Sequence, residues 1–284
     1  MEHLQYYIEA NDATRLFVRQ WKPGKTPKAR IIMIHGFSEH SGRYSAWAEH
    51  FVAQNISVLA PDLRGHGKSY GIRGHTPSFR QLLSDIDKIF EAHASQNHIP
   101  TFLYGQSLGG GIVVNYGITR TRGYQGIIAT SPWLKLSTEP KALTLLLSRA
   151  LKILAPRAVR NSKLDINYLS HNPDVIRQYE EDPLTHRQIT PYLFFSARKA
   201  GYQAIRNAGK TNHPILVMHG TDDKITSLHA SKKFVLNAQQ AGVNAQFIPW
   251  EGLYHELHNE LQNERVFQAI LSWLNQQLKI EAAV

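Results

Sequence analysis

The sequence predicts an α/β protein built on a mostly parallel sheet with helices on both faces, and three observations predict it. Short apolar runs rich in β-branched residues recur along the chain, beginning with Ile31-Ile32-Met33-Ile34, as expected of strands covered on both faces. Between such runs, apolar residues step by three and four, as in Phe79, Leu82, Leu83, Ile86, Ile89 and Phe90, the period of an amphipathic helix. A chain of 284 residues with 42% hydrophobic and 19% charged residues is also large enough to bury a sizeable core and has an ordinary globular composition.

The elements follow in order. Residues 3–8 and 15–21 read as strands joined by the turn-forming Asn11-Asp12 and closed by Pro23-Gly24, which predicts an antiparallel hairpin. Strands at 31–34, 56–60, 101–104 and 126–130 come next, with the helix around 79–90 before the third and a helix at 111–116 before the fourth. Strands at 215–218 and 245–249 and a last helix through Val266, Ile270, Trp273 and Leu274 complete the alternation expected of a parallel sheet.

Residues 132–212 interrupt this pattern: no convincing strand is legible there, and the stretch is too long for an ordinary loop. It reads as a helical insertion into a core made of 1–131 and 213–284. Its first helix, about 141–155, is crowded with Leu143, Leu145, Leu146, Leu147, Leu151, Ile153 and Leu154 and flanked by Arg149, Lys152, Arg157 and Arg160. Either core packing or transient contact with an anionic lipid surface would account for that composition. A later helix opens with Thr190-Pro191 as cap and first position, and is expected to show Tyr192, Phe195, Tyr202 and Ile205 on one face.

Composition removes several function classes. There are no cysteines, so disulfides, thiolate nucleophiles and cysteine zinc sites are excluded. The N-terminal segment MEHLQYYIEANDATRLF has early acidic residues and lacks the apolar run of a signal peptide, and no window approaches the roughly 18 apolar residues of a spanning helix. A soluble cytoplasmic protein is expected. The net charge of +10 comes from scattered lysines and arginines without a nucleic-acid motif, so no nucleic-acid partner is expected.

The chemistry is carried by Gly105-Gln106-Ser107-Leu108-Gly109, a G-x-S-x-G string between a predicted strand and a predicted helix. Glycines flank the serine because the turn presses its neighbours against adjacent backbone. A serine hydroxyl becomes a nucleophile only when an imidazole takes its proton, and a carboxylate must orient that imidazole. The acid is expected after a later strand, where Asp222 and Asp223 both stand, and residue properties alone leave the two nearly equal. The histidine is expected after the next strand, at His255, with His258 as a helix-start neighbour. His-Glu-Leu-His at 255–258 is not H-E-x-x-H, so a zinc-protease helix is not predicted. The oxyanion hole would be formed by the backbone amides of Leu108 and of Phe37, which follows His35-Gly36. Asp62 precedes the serine in the chain and is read as structural.

With these residues in view, the whole chain resembles the monoglyceride lipase and bacterial lysophospholipase group of serine α/β-hydrolases. His35-Gly36-Phe37-Ser38-Glu39-His40-Ser41-Gly42-Arg43-Tyr44 is similar to that group's H-G-x-x-E-H-S-G-R-Y signature, and residues 61–69 are similar to its D-x-R-G-H-G-x-S loop. Gly220-Thr221-Asp222-Asp223 resembles its G-x-x-D, which implies Asp223 as the acid. Tyr254-His255-Glu256-Leu257-His258 resembles its Y-H-x-x-H, which implies His255 as the base. Glu181-Asp182-Pro183-Leu184-Thr185-His186 is similar to a string of the same group, and Gln106 departs from its more usual His.

The resemblance implies the α/β-hydrolase fold, with 132–212 as a cap over the active site. It implies hydrolysis of a monoacylglycerol or lysophospholipid through an acyl-enzyme on Ser107, with no metal or organic cofactor. A general short-chain carboxylesterase and a catalytically silent hydrolase-fold binding protein are the alternatives.

Overall fold

The computed structural model describes residues 1–94, 98–121 and 123–281. Eight strands form one sheet: β1 (Glu2–Glu9), β2 (Arg15–Lys22), β3 (Ala29–Ile34), β4 (Ile56–Pro61), β5 (Thr101–Gln106), β6 (Gly126–Thr130), β9 (Ile215–Gly220) and β10 (Ala245–Trp250). A separate pair, β7 (Arg160–Asn161) and β8 (Gln188–Ile189), is antiparallel. The order in the main sheet is β1-β2-β4-β3-β5-β6-β9-β10. β1 and β2 pair as the expected hairpin, β2 runs antiparallel to β4, and every other pairing is parallel.

The central strands are apolar throughout because successive side chains enter two different cores. Ile32 and Ile34 of β3 and Leu103 of β5 face a core with α2 (Phe79–Ala92), α3 (Leu108–Thr119), α6 (Pro191–Arg206) and α7 (Leu228–Gln240). Ile31, Met33, Phe102 and Tyr104 face a second core with α1 (Ser45–Ala53) and α8 (Asn263–Glu281). The predicted face of α2 is the one that is buried, through Leu82, Leu83, Ile86 and Ile89, and Ser78 caps it by accepting from the Gln81 amide at 3.1 Å.

The 132–212 segment departs from expectation in two ways. It contains β7 and β8, whose two residues apiece are too short to leave a periodic signal. The last helix, α6, is capped by Thr190 as predicted, yet it buries Leu193, Ala197, Ala200, Gly201 and Ala204. Tyr192, Phe195, Tyr202 and Ile205 are only half-buried. Small residues allow α6 to lie close to α3, which outweighs the larger area of the aromatic side chains. In contrast, α4 (Ala142–Leu154) buries none of its residues. Between them lies α5 (Pro173–Glu181), whose apolar stripe is only Val175, Ile176 and Tyr179 and was not legible in advance.

The turn from β5 into α3 leaves no room for a side chain at either of its flanking glycines. A Cβ at Gly105 would meet the Gly109 carbonyl oxygen at 2.3 Å, and one at Gly109 would meet the Ile34 carbonyl oxygen at 2.1 Å. Both obstacles are backbone, so neither can swing aside. Gly109→Ala is therefore expected to lower the unfolding free energy by at least about 2 kcal/mol, measured by chemical denaturation, whereas a loss below about 0.5 kcal/mol would contradict this packing.

Candidate active site

Parallel strands deliver their carboxyl ends to one edge of the sheet, where ligands of open α/β sheets bind. β3, β5, β9 and β10 end there, and the loops that follow carry Phe37, Ser107, Asp223 and His255. Ser107 is the N-cap of α3 with φ 53° and ψ −115°, a left-handed backbone that costs a non-glycine residue on the order of 1–3 kcal/mol. Three hydrogen bonds hold it: Ser107 N donates to Thr130 O at 3.0 Å, and its carbonyl accepts from Gly111 N at 2.9 Å and Trp133 N at 2.8 Å. Its hydroxyl has no hydrogen-bond partner among the described residues, so Oγ is uncommitted.

Asp223 and His255 are brought together and Asp222 is left out. His255 Nδ1 lies 2.8 Å from Asp223 Oδ2, with both side chains almost fully enclosed. Asp223 Oδ1 accepts from the amides of Ile225 at 2.7 Å and Thr226 at 3.0 Å. Asp222 is exposed on the same turn. Burial would raise the Asp223 carboxyl, yet the imidazoles of His255 and His219 hold it well below the usual carboxylate range. Burial would lower His255, but the Asp223 carboxylate outweighs it and raises the ring above its ordinary value. The pair therefore favours an imidazole oriented by an ionised acid and strengthened as a base.

The loop that carries Phe37 is set by His35. Leu63 N donates to His35 Nε2 at 2.8 Å, so the ring proton is on Nδ1, which lies 2.7 Å from Gly36 O. Burial lowers His35 to about 4 and keeps it in this form. Because a trans peptide is planar, anchoring the Gly36 carbonyl toward His35 turns the Phe37 N–H the opposite way. Gly36 lies directly against Ser107, since a Cβ there would approach Ser107 Cβ to 3.2 Å. Neither the Phe37 nor the Leu108 amide donates to another group among the described residues.

Sequence reasoning missed the charged frame around this site. Arg43 binds Glu256 in a fork, Nη1 to Oε1 at 2.7 Å and Nη2 to Oε2 at 2.8 Å, and Nη1 also reaches Glu39 Oε2 at 2.6 Å. Glu39 Oε1 accepts from Gly36 N at 2.6 Å and from the Tyr44 hydroxyl at 2.8 Å. The network ties the loop that carries Phe37 to the residue after His255. Burial raises Glu39, whereas for Glu256 the Arg43 guanidinium overcomes burial and holds it at about 2. The signal was the charge density of 39–43, which in a loop normally reads as solvated. His258 is stacked on Tyr44 at 4.5 Å with neither ring nitrogen partnered among the described residues, and burial lowers it to about 4. Asp62 stitches loops together, accepting from the amides of Ser41 and Lys68 at 2.8 Å each.

Arg43→Met would leave two buried carboxylates without a cation. The expected loss is about 3–5 kcal/mol of unfolding free energy, measured by urea denaturation near neutral pH; a loss below about 1 kcal/mol would contradict the role given to this network.

Comparison with known proteins agrees with this architecture. The sequence matches the serine aminopeptidase S33 family over residues 25–262. It is 32% identical over 258 residues to phospholipase YtpA of Bacillus subtilis, covering 90% of this chain and 98% of the relative. It is 34% identical to an uncharacterized abhydrolase domain-containing protein of Dictyostelium discoideum, of whose length the chain spans 28%. The crystal structure of Paleococcus ferrophilus monoacylglycerol lipase superposes with a TM-score of 0.83 at 31% identity, covering 98% of this chain and 100% of that one. The chain belongs to the serine aminopeptidase S33 family and, with its α/β-hydrolase fold, is a carboxylic ester hydrolase of the monoglyceride lipase-like kind.

Proposed function

We propose that the protein hydrolyses the ester of a single-chain lipid, a monoacylglycerol or lysophospholipid, through an acyl-enzyme on Ser107. The observation that carries this reading is the buried Asp223–His255 pair at 2.8 Å, which shares one edge of the sheet with a serine held in a left-handed turn at the end of β5. Ser107 Oγ attacks the ester carbonyl as His255 takes its proton, and Asp223 orients and stabilises the resulting imidazolium. The amides of Phe37 and Leu108 receive the oxyanion. His255 returns the proton to the leaving alcohol, and water then repeats the sequence on the acyl-enzyme. The names of two relatives, the Paleococcus ferrophilus monoacylglycerol lipase and the Bacillus subtilis phospholipase YtpA, support a lipid ester as substrate.

Residues 132–190 act in this reading as the lid, the boundary moving from 212 because α6 packs into the layer of α3 and α7. The segment is tethered on both sides of the site. His186 N donates to Ser38 O at 3.1 Å, Tyr179 is hydrogen-bonded to Ser38, and His40 meets Asp182 at 2.7 Å. On the histidine side, His255 N donates to Tyr168 O at 3.3 Å and Glu256 N to Leu169 O at 2.7 Å.

The free face of α4 fits lipid delivery. Ile153 is 80% and Leu154 83% exposed, with Leu143, Leu146 and Leu147 also exposed, a concentration of apolar surface that solvent does not favour. Arg149, Arg157 and Arg160 nearby carry no ion pair among the described residues and match an anionic surface. No described helix is long and apolar enough to cross a membrane, so the contact is peripheral.

Ser107→Ala is expected to remove turnover of long-chain monoacylglycerol and of p-nitrophenyl esters, and retained turnover would overturn the reading. In the wild type, His255 must be unprotonated to act as base. Its raised pKa means that kcat/KM falls on acidification from above the ordinary histidine value of about 6.5, and an acid limb below that value would contradict the pairing. Preference for short acyl chains would indicate a general carboxylesterase instead. Co-sedimentation should retain the protein on phosphatidylglycerol vesicles more than on phosphatidylcholine vesicles, with Leu146→Glu and Leu154→Glu together abolishing the retention. Equal retention on both vesicle types would exclude the electrostatic part of the surface contact.

A further inference from the structure

One residue grips the Asp223 carboxylate at both oxygens. Thr226, three residues on, donates its backbone N–H to Oδ1 at 3.0 Å, and its hydroxyl Oγ1 lies 2.8 Å from Oδ2, the oxygen that receives His255 Nδ1. Its side chain is fully buried. The G-x-x-D motif ends at Asp223, and the mechanism above does not use this hydroxyl.

We propose that Thr226 is a positioning residue for Asp223, its hydroxyl donating to Oδ2 and holding that oxygen for His255. The proposal rests on the reading of Asp223 and His255 as catalytic partners. A hydroxyl has one proton to give, and two acceptors are within reach, Asp223 Oδ2 at 2.8 Å and the Ser131 carbonyl at 3.0 Å. Asp223 is ionised, and a hydrogen bond to an anionic oxygen is about twice as strong as one to a neutral carbonyl, so the proton goes to Oδ2. The opposite choice would aim an oxygen lone pair at a buried anionic oxygen.

The amides of Ile225 and Thr226 fix only Oδ1. Oδ2 has two hydrogen-bond donors, His255 Nδ1 and Thr226 Oγ1. Without the hydroxyl, the imidazole alone would set the plane of the carboxylate, and the imidazole is the group whose proton changes hands during turnover. His219 Nε2 also comes to 3.0 Å from Oδ2, but its N–H is directed to Thr226 O at 3.4 Å, so this ring steadies Thr226 rather than the carboxylate.

Thr226 is rigid enough for the task. Its β-branched side chain is stiff about the first torsion. Its backbone pairs with Leu136 in an antiparallel bridge, flanked by Ser137 N donating to Ile225 O and Ser227 N donating to Lys135 O, each at 3.0 Å. Ser227 then caps α7, accepting from Ala230 N at 3.2 Å. The carboxylate is thus held from two sides, by the start of α7 and by the chain that leaves β6.

The test compares Thr226→Val, which keeps the shape and the amide but has no hydroxyl, with Thr226→Ser, which keeps the hydroxyl. Steady-state kinetics on a p-nitrophenyl ester, thermal unfolding and the proton NMR resonance of His255 Nδ1–H, recorded where the imidazole is protonated, are measured for each. Thr226→Val is expected to lower kcat about tenfold with KM unchanged, the kinetic equivalent of one lost hydrogen bond to a charged group. Its Nδ1–H resonance should move from the wild-type position, a readout that needs no turnover. Thr226→Ser should restore most of kcat and return the resonance. If Thr226→Val fails to fold, Thr226→Ala takes its place with the same expectations.

A kcat within about twofold of wild type in the variant without the hydroxyl overturns the proposal, and so does an unmoved resonance. Equal loss of activity in the Val and Ser variants that follows their loss of stability overturns it as well. Asp223→Asn separates the two claims: retained turnover there would defeat the triad reading itself, whereas its inactivity alongside an unchanged Thr226→Val would defeat only the role of Thr226.

Discussion

The left-handed backbone at Ser107 is the constraint around which the sheet edge is organised. A residue with a Cβ adopts φ 53° only where its surroundings outweigh the strain, and here they include Thr130 on the next strand, Gly111 one helical turn on, and Trp133 at the start of the long connection. Each contact comes from a different element, so the turn can form only when β5, β6 and α3 are already in register. The absence of side chains at Gly105 and Gly109 lets the backbone of β3 and α3 close to the distances this requires. The hydroxyl then projects from the sheet edge with no partner to restrain it, beside the loop that carries Phe37.

A second constraint is electrostatic and joins the two loops on either side of the serine. Arg43 lies between Glu39 and Glu256: Glu39 is fixed to the Gly36 amide, and Glu256 is itself the residue that follows His255. Burying one cation with two carboxylates is costly, and the arrangement persists because every acceptor is engaged by a hydrogen bond of good geometry. Residues of the long connection attach to the same two loops, through Ser38 and through the amides of His255 and Glu256.

Much of this was readable in advance where one physical signal dominated. Strands buried on both faces left uninterrupted apolar runs, so β3, β4, β5, β6 and β9 were found within one or two residues of their observed ends. α1, α5 and α7 were not identified, because they are short or mix buried and exposed polar positions within each turn. The buried face of α6 was not read from the sequence, because periodicity picks out large side chains while close packing on α3 selects alanine and glycine. Asp222 and Asp223 could not be separated by residue type, since both suit a turn; only the direction of the side chain distinguishes them, and that depends on the Ile225 and Thr226 amides. Arg43, Glu39 and Glu256 were silent for a related reason, because burial of a charge is invisible until its partners are known.

The most direct test is covalent. Incubating the folded protein with a fluorophosphonate and mapping the adduct by mass spectrometry should find a single phosphonylated residue, Ser107, with labelling lost after unfolding. An adduct on another serine, or none on the folded protein, would contradict the account.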